Sequence, residues 1–408
     1  MFLSLREYGL SVLKNQNQCH AANACTVLSL EVKMAKKELI TLLAVGDVCV
    51  DRGEPDSIFA YVAPVIKSAD IRFCQLEMVY SERGAPPPHC RVPLKAHPRN
   101  APAIQRAGFQ VASFASNHTL DWGVDAALDT LDVMRKTGVH IIGVGKNIAE
   151  AREPKIIECR GTKVAFLAYC SILPMGYWAE ANKFGCAPAR GWTFYEQIEH
   201  DQPGTPARIH SFAHEDDKAA MIKDINNAKA QADLVMVSMH WGIHFKEAEI
   251  AAYQKEYAYA AIDAGADAIL GHHAHILKSV EVYKGKPIFY SLCNFAFDLH
   301  LPDSVLNSYR WKELMAINPN WKMDPRYKAY PFPADSRMTI MAKILISDKK
   351  ISKISFLPVL VNEDSQPRVL NRKNKEFGNV LKYMEKITKD QKIDIKYTVE
   401  GDEIVVSA

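Results

Sequence analysis

Five apolar runs of β-strand character each end in a side chain that can bind a metal ion or move a proton. Ile40-Thr41-Leu42-Leu43-Ala44-Val45-Gly46 leads to Asp47, and Ile71-Arg72-Phe73-Cys74-Gln75-Leu76 leads to Glu77. Val111 to Ser116 leads to Asn117 and His118, Leu234 to Met239 leads to His240, and Ala268-Ile269-Leu270 leads to Gly271-His272-His273-Ala274-His275. Short apolar runs bounded by turn residues predict buried strands, and strands alternating with helical segments predict an α/β fold. Parallel strands bring their carboxyl ends to one crevice, the usual place of a site in such a fold. A lone Asp after a strand is ordinarily a helix cap, and a lone His a hydrogen-bonded turn residue. Their recurrence at the same end of five runs points instead to a fold that gathers those ends.

The gathered set has a chemistry of its own. Packing has no use for three histidines in five residues, because each buried ring needs its own partner. Carboxylate and amide oxygens combined with imidazole nitrogens suit divalent Mn, Fe, Zn or Co. Six such side chains exceed what one tetrahedral ion with an open position requires, so two divalent metal ions are expected. A pair of ions can generate hydroxide from water near neutral pH and clamp the oxygens of a reacting group.

Gly46-Asp47, Gln75-Leu76-Glu77, Ser116-Asn117-His118-Thr119-Leu120-Asp121-Trp122-Gly123, His240-Trp241-Gly242, Gly271 to His275 and Tyr290-Ser291-Leu292-Cys293-Asn294-Phe295 form an ordered series of blocks. This series resembles the CapA (poly-γ-glutamate capsule-biosynthesis) family, a branch of the calcineurin-like metallophosphoesterase superfamily, from about Leu39 to about Leu360. The resemblance implies a four-layer αββα sandwich of metallophosphoesterase type, with two mixed sheets face to face and a dinuclear site at the strand ends. It further implies Asp47, Glu77, Asn117, His240, His273 and His275 as metal ligands and His118 as proton donor. Three positions depart from the pattern. Cys49 stands where the superfamily usually has the His of an Asp-x-His pair, and it reads as an inert buried thiol. Ile243-His244 follows His-Trp-Gly where the family often carries Glu. The Gly-His-x-His block is stretched by one residue, which leaves His272 either as a catalytic group beside the ions or as an alternative ligand to His273.

Length and composition fit a globular enzyme acting on a small-molecule substrate. A chain of 408 residues with 48% hydrophobic and 24% charged side chains can bury a large core. A net charge of +3 does not provide the basic face that a nucleic-acid partner needs. No apolar run approaches the roughly 18 residues of a membrane span, so no membrane partner is expected. Nine cysteines without Cys-x-x-Cys spacing suggest a reducing, cytoplasmic setting. Residues 1–33 are read as a loosely attached extension, with Met34 an alternative start, and residues 34–408 as one domain.

Helices are predicted at Ala101 to Ala107 and Val124 to Thr137, the second closed by Gly138. Strands are predicted at Lys163 to Cys170, Lys286 to Leu292, Met338 to Ile346 and Lys349 to Pro358, the last two joined by a turn at Ser347 to Lys350. Residues 171–217 and 301–333 are rich in aromatics, Gly and Pro with weak periodicity, and are read as loop insertions forming a substrate pocket; a homo-oligomer contact is the competing reading. Substrate contacts are expected from Arg190, Trp241 and Asn294. Arg208, Arg310, Arg326 and Arg337 are further guanidinium candidates for a carboxylate or phosphate. Asn294 and Asp298 can equally be supporting or capping groups, and Asp121 and Trp122 are read as shaping their loop.

The expected activity is metal-dependent hydrolysis by a dinuclear-metal-activated water, preferably at an amide or γ-glutamyl-type bond. A metal-dependent epimerase, a phosphoesterase and a non-catalytic capsule-polymer assembly protein are the alternatives.

Overall fold

A computed structural model of the protein describes residues 39–88, 90, 92–319 and 321–408. The N-terminal extension expected at residues 1–33 lies outside the described residues. The strands that lead to the candidate site are β1 (Ile40–Cys49), β2 (Ile71–Leu76), β3 (Val111–Ser113), β4 (Thr162–Cys170), β5 (Leu234–His240) and β6 (Ala268–His272). They fall into two parallel trios in two different sheets. β1, β2 and β3 are the parallel centre of a ten-stranded sheet, with antiparallel Met338–Ser347 on the other side of β1 and Lys350–Val361 beyond it. β4, β5 and β6 are the parallel centre of a six-stranded sheet whose edge pairs, Lys155–Cys159 with β4 and Val280–Tyr283 with Lys286–Phe289, are antiparallel. Both sheets are therefore mixed.

Alternation along each strand decides what lies on either face. In β5, Leu234 and Met236 belong to the core between the two sheets, whereas Val235, Val237 and Met239 pack outward with Met221, Ile225 and Tyr257 of helices Glu215–Lys229 and Ala252–Asp263. Sheet meets sheet through pairs such as Phe73 of β2 and Phe166 of β4, stacked at 5.7 Å and 3°. Helix Gly123–Thr137 buries Ala126, Ala127, Thr130, Leu131 and Met134, and stops at left-handed Gly138 (φ 85°) as expected. The four-layer αββα arrangement is thus present, and β-strands buried on both faces explain the near-continuous apolar runs.

The run from Lys286 to Leu292 departs from the single strand expected of it. Lys286–Phe289 stays in the second sheet, but Asn294–Phe297 joins the first, parallel to the end of β1 with Asp47 opposite Asn294. Between them the backbone crosses from sheet to sheet. It is held by the Leu292 N–H donating to the Gly271 carbonyl at 2.9 Å and the Asp47 N–H donating to the Cys293 carbonyl at 3.0 Å. Gly46 and Gly271 make room for this crossing: a Cβ on Gly46 would stand 1.7 Å from the Cys293 oxygen, and one on Gly271 2.2 Å from the Tyr290 oxygen. Each glycine directly precedes a site-bearing segment. Gly46→Ala is therefore expected to destabilise the protein by about 3 kcal/mol or more, because backbone must move to admit the methyl. An unchanged denaturant midpoint would contradict that close approach.

The predicted hairpin at Ser347 to Lys350 is present, with Asp348 (φ 51°) and Lys349 (φ 61°) both left-handed. The two insertions carry more regular structure than their weak periodicity predicts. Gly191–Glu196 pairs with Arg208–Ala213 as an antiparallel hairpin, and residues 303–317 form two short helices, Asp303–Leu306 and Tyr309–Ile317. Helix Lys375–Asp390 was also not anticipated; it buries Phe377, Val380, Tyr383, Met384 and Ile387 on one face.

Candidate metal centre

Asp47 sits where the β1–β2 register shifts between Ala44 and Asp47, and Glu77 immediately follows β2. Asn117 and His118 lie in a turn closed by Thr119, whose hydroxyl donates to the Phe114 carbonyl at 2.5 Å while its oxygen accepts the Ser116 N–H at 3.2 Å. That bend allows two adjacent side chains to face the same centre. His240 ends β5 and His272 ends β6. Beyond β6 the chain alternates, with His273 (φ 83°) and His275 (φ 55°) left-handed and Ala274 buried between them. Left-handed non-glycine residues cost energy and concentrate at functional sites. Here they direct both rings inward.

The side chains form two overlapping groups, Glu77 with His240 and His273, and Asp47 with Glu77 and His275, in each of which the ligand atoms lie within 4.8 Å of one another. Glu77 belongs to both. His240 Nε2 is 3.4 Å from Glu77 Oε1, His275 Nε2 is 3.9 Å from the same oxygen, and Asn117 Oδ1 is 2.7 Å from His240 Nε2 and 3.0 Å from His273 Nδ1. All six expected ligands are thus brought together. Asn294 fixes the His275 ring. Its Nδ2 donates to the Tyr330 hydroxyl at 3.1 Å, which places Oδ1 as acceptor of the His275 Nδ1–H at 2.7 Å and leaves Nε2 as the free lone pair.

These residues fit divalent cations on grounds internal to the chain. Asp47 Oδ1, both Glu77 carboxylate oxygens and His240 Nδ1 are buried without a hydrogen-bond partner. Buried polar atoms are normally paired, and a carboxylate with neither oxygen paired has a large desolvation cost. Burial pushes the Glu77 carboxyl well above the usual range, and the neighbouring Asp47 charge adds to this. For Asp47 burial acts in the same direction, but His272, with Nδ1 3.4 Å from Oδ1, and then His240 and His275 outweigh it and hold this carboxyl low, at about 2. Burial pushes His240, His273 and His244 well below the ordinary imidazole value, which favours the neutral form that binds metal.

A cavity of about 340 Å³ opens beside this cluster, lined by Asn117, His118, Asp121, His244 and His275 and by a larger set of apolar side chains. His118 Nδ1 lies 2.6 Å from Asp121 Oδ2, and its Nε2 is 3.9 Å from Glu77 Oε1. Asp121 also accepts the Leu94 N–H at 2.8 Å and the Cys90 thiol at 3.3 Å, so its role is to hold His118 as well as its loop. His244, absent from the expected ligand set, lies against His273 with centroids 3.8 Å apart and planes tilted by 33°, and 5.1 Å from His275. Its Nε2 has no partner. The Ile243-His244 departure from the family's usual Glu was the one signal that marked it.

Other expected site residues lie elsewhere. His272, expected beside the substrate or as an alternative to His273, is fully buried, 6.0 Å from the Phe73 ring, and does not line the cavity. As the last residue of β6 it points between the sheets, so it backs Asp47 rather than facing substrate. Trp241 points to the outer face of its strand, packs on Tyr290 and donates its indole N–H to the Tyr290 carbonyl at 3.0 Å. It is a core residue. Arg190 is forked onto Asp217 at 2.7 and 2.9 Å and is likewise not among the lining residues. Asn294 supports His275, as above. Asp298 pairs with Arg52 at 2.6 Å. Cys49 is buried with its thiol pushed well above its ordinary value, first by burial and then by Glu77, and it belongs to neither ligand group.

Comparison with known proteins identifies the family. The family model for bacterial capsule synthesis protein PGA_cap matches residues 41–299, which include every residue of both ligand groups. The chain belongs to this family. PGA_cap relatives include the PGA biosynthesis protein CapA of Bacillus subtilis (strain 168), 29% identical over 296 residues covering 69% of this chain and 70% of that one. The capsule biosynthesis protein CapA of Bacillus anthracis is 30% identical over 300 residues, covering 69% and 66% of the respective chains. Among solved structures, the calcineurin-like phosphoesterase YfkN from Bacillus subtilis aligns over 87% of this chain and 98% of that chain, at a TM-score of 0.35 and 11% identity. The family match ends well before the expected Leu360, so residues 300–408, including the whole of the second insertion, lie beyond it. No helix among the described residues is long and apolar enough to cross a membrane. Cys74, Cys90, Cys170, Cys186 and Cys293 carry free thiols, as does Cys49.

Proposed function

We propose that this PGA_cap chain is a metal-dependent hydrolase of a small molecule, with an amide or γ-glutamyl-type bond as its target. The observation that carries this reading is the pair of ligand groups sharing Glu77 beside a cavity whose wall holds an oriented His118. Asp47, Glu77, Asn117, His240, His273 and His275 would hold two divalent ions. When bound, such ions supply Lewis-acid polarisation of the reacting group and activation of water.

The chain's own residues account for the rest. Asp121 accepts the His118 Nδ1–H, which fixes the ring's tautomer and presents Nε2 to the cavity. His118 then takes a proton from the attacking water at Nε2 as the water oxygen becomes bonded to the acyl carbon, and passes that proton to the departing nitrogen as the carbon–nitrogen bond breaks. Apolar cavity walls exclude bulk water, which strengthens each electrostatic contact inside. The likeness to poly-γ-glutamate capsule proteins directs the choice of bond toward the γ-glutamyl type.

A metal-supplemented screen of purified full-length protein against simple amides, γ-glutamyl amides and phosphate esters tests this. Turnover of amides that disappears with chelator and returns with Mn²⁺ is expected. Turnover of phosphate esters alone would overturn the choice of acyl chemistry.

A further inference from the structure

We propose that the substrate group entering the cavity is uncharged and hydrophobic, an acyl chain or an aromatic ring, borne by the bond whose polar end reaches the buried carboxylate and imidazole cluster. This deepens the hydrolytic reading and rests on it. The cavity wall is a continuous aromatic surface that starts at a ligand-group residue. His275 lies 5.2 Å from Phe332, Phe332 stacks on Trp321 at 6.2 Å and 11°, and Trp321 meets Phe245 at 4.5 Å and Trp311 at 5.5 Å. These rings come from 242–249, from β6's following loop and from the insertion at 301–333, so the insertion's buried tryptophans are built to cover this space.

The polar atoms of Trp321 and Asp121 on that wall are already engaged, and the unpartnered His244 Nε2 belongs to a ring that burial keeps uncharged. The Trp321 indole N–H donates to the Pro331 carbonyl at 2.7 Å, and the Asp121 oxygens are taken by His118, Leu94 and Cys90. Among the described residues lining the cavity there is no Lys or Arg. The guanidinium groups expected to bind a substrate carboxylate are committed elsewhere: Arg310 to the Cys90 carbonyl at 2.9 Å, Arg337 and Arg326 to Asp324 at 3.1 and 2.7 Å, and Arg208 to Glu196 at 2.9 Å. A carboxylate placed against the aromatic wall, away from the ligand groups, would lose its water and meet no Lys or Arg among the described lining residues, which is costly. Methylenes gain instead, about three- to fourfold in affinity for each one buried. A polyanionic chain does not match these walls; an amide or ester with one apolar partner does.

The test is calorimetric titration of the Mn²⁺-supplemented full chain with three hydroxamates: acetohydroxamate, octanohydroxamate, and suberic acid monohydroxamate, which is of the octano length but ends in a carboxylate. Octanohydroxamate is expected to bind roughly 50-fold or more tighter than acetohydroxamate, and the suberic compound within about threefold of acetohydroxamate. Leu314→Glu, at a half-buried lining position on helix Tyr309–Ile317, is expected to abolish the advantage of the octano chain while leaving acetohydroxamate binding intact. Equal binding of all three, absence of binding included, or a preference for the carboxylate-ended chain, overturns the proposal. The octano preference without turnover of p-nitrophenyl octanoate or γ-glutamyl p-nitroanilide would support the pocket assignment and overturn hydrolysis alone.

Discussion

His118→Ala is expected to lower kcat by roughly 10²-fold or more while leaving metal content unchanged, the effect of removing a general acid. The ring stands outside both ligand groups, bonded through Nδ1 to Asp121 and 3.9 Å from the nearest Glu77 oxygen. Asp121→Asn should lose less, about tenfold, because the ring stays in place but its tautomer is no longer enforced. Asn117→Ala should do the reverse of His118→Ala. Its amide oxygen touches two ligand-group nitrogens, at 2.7 and 3.0 Å, so metal affinity falls first. Metal analysis alongside kcat for the three variants separates the roles, and equal metal loss in His118→Ala and Asn117→Ala would make His118 a ligand.

The second large effect is expected at Glu77. As the one side chain common to both groups, its replacement in Glu77→Gln should weaken both at once, loosening metal by about 100-fold or more. The same variant should melt higher than wild type once both are stripped of metal. The sign follows from burial and the adjacent Asp47, which raise the Glu77 pKa in the folded protein above its unfolded value. As pH rises past the ordinary Glu value the unfolded chain ionises and the folded one resists, so wild type loses stability that the variant, with a neutral amide at this position, retains. Calorimetric melts of the two metal-free proteins at pH 7.5 check this, and a lower melting point for Glu77→Gln would show that Glu77 is stabilised without cations.

The ligand positions were legible because they repeat one relation, an apolar strand followed by a coordinating side chain. A sheet enforces that relation locally, and two sheets packed face to face bring the ends together. Trp241 shows what alternation alone predicts: next to His240 in extended chain, it must point to the opposite face, and it does so into the outer core. Residues whose place depends on partners distant in sequence were not legible. Arg190 offers a free guanidinium in the sequence and is bound by Asp217 in the fold. His244 reaches the centre because the loop that carries it is tied down by the Phe245 N–H on the Ala274 carbonyl at 3.1 Å and by the Lys278 ammonium on the Lys246 carbonyl. Neither contact leaves a pattern in the sequence. The crossing from Phe289 to Asn294 was hidden for the same kind of reason, since apolar residues run through both strands and the turn between them depends on Gly46 and Gly271 of other strands.

Two cations are proposed for the groups sharing Glu77. Elemental analysis of full-length protein purified without chelator and supplemented with Mn²⁺, then freed of unbound ion, measures this directly. Close to two metal ions per chain are expected, falling toward none in Glu77→Gln. A chain that retains no metal under these conditions would contradict that occupancy.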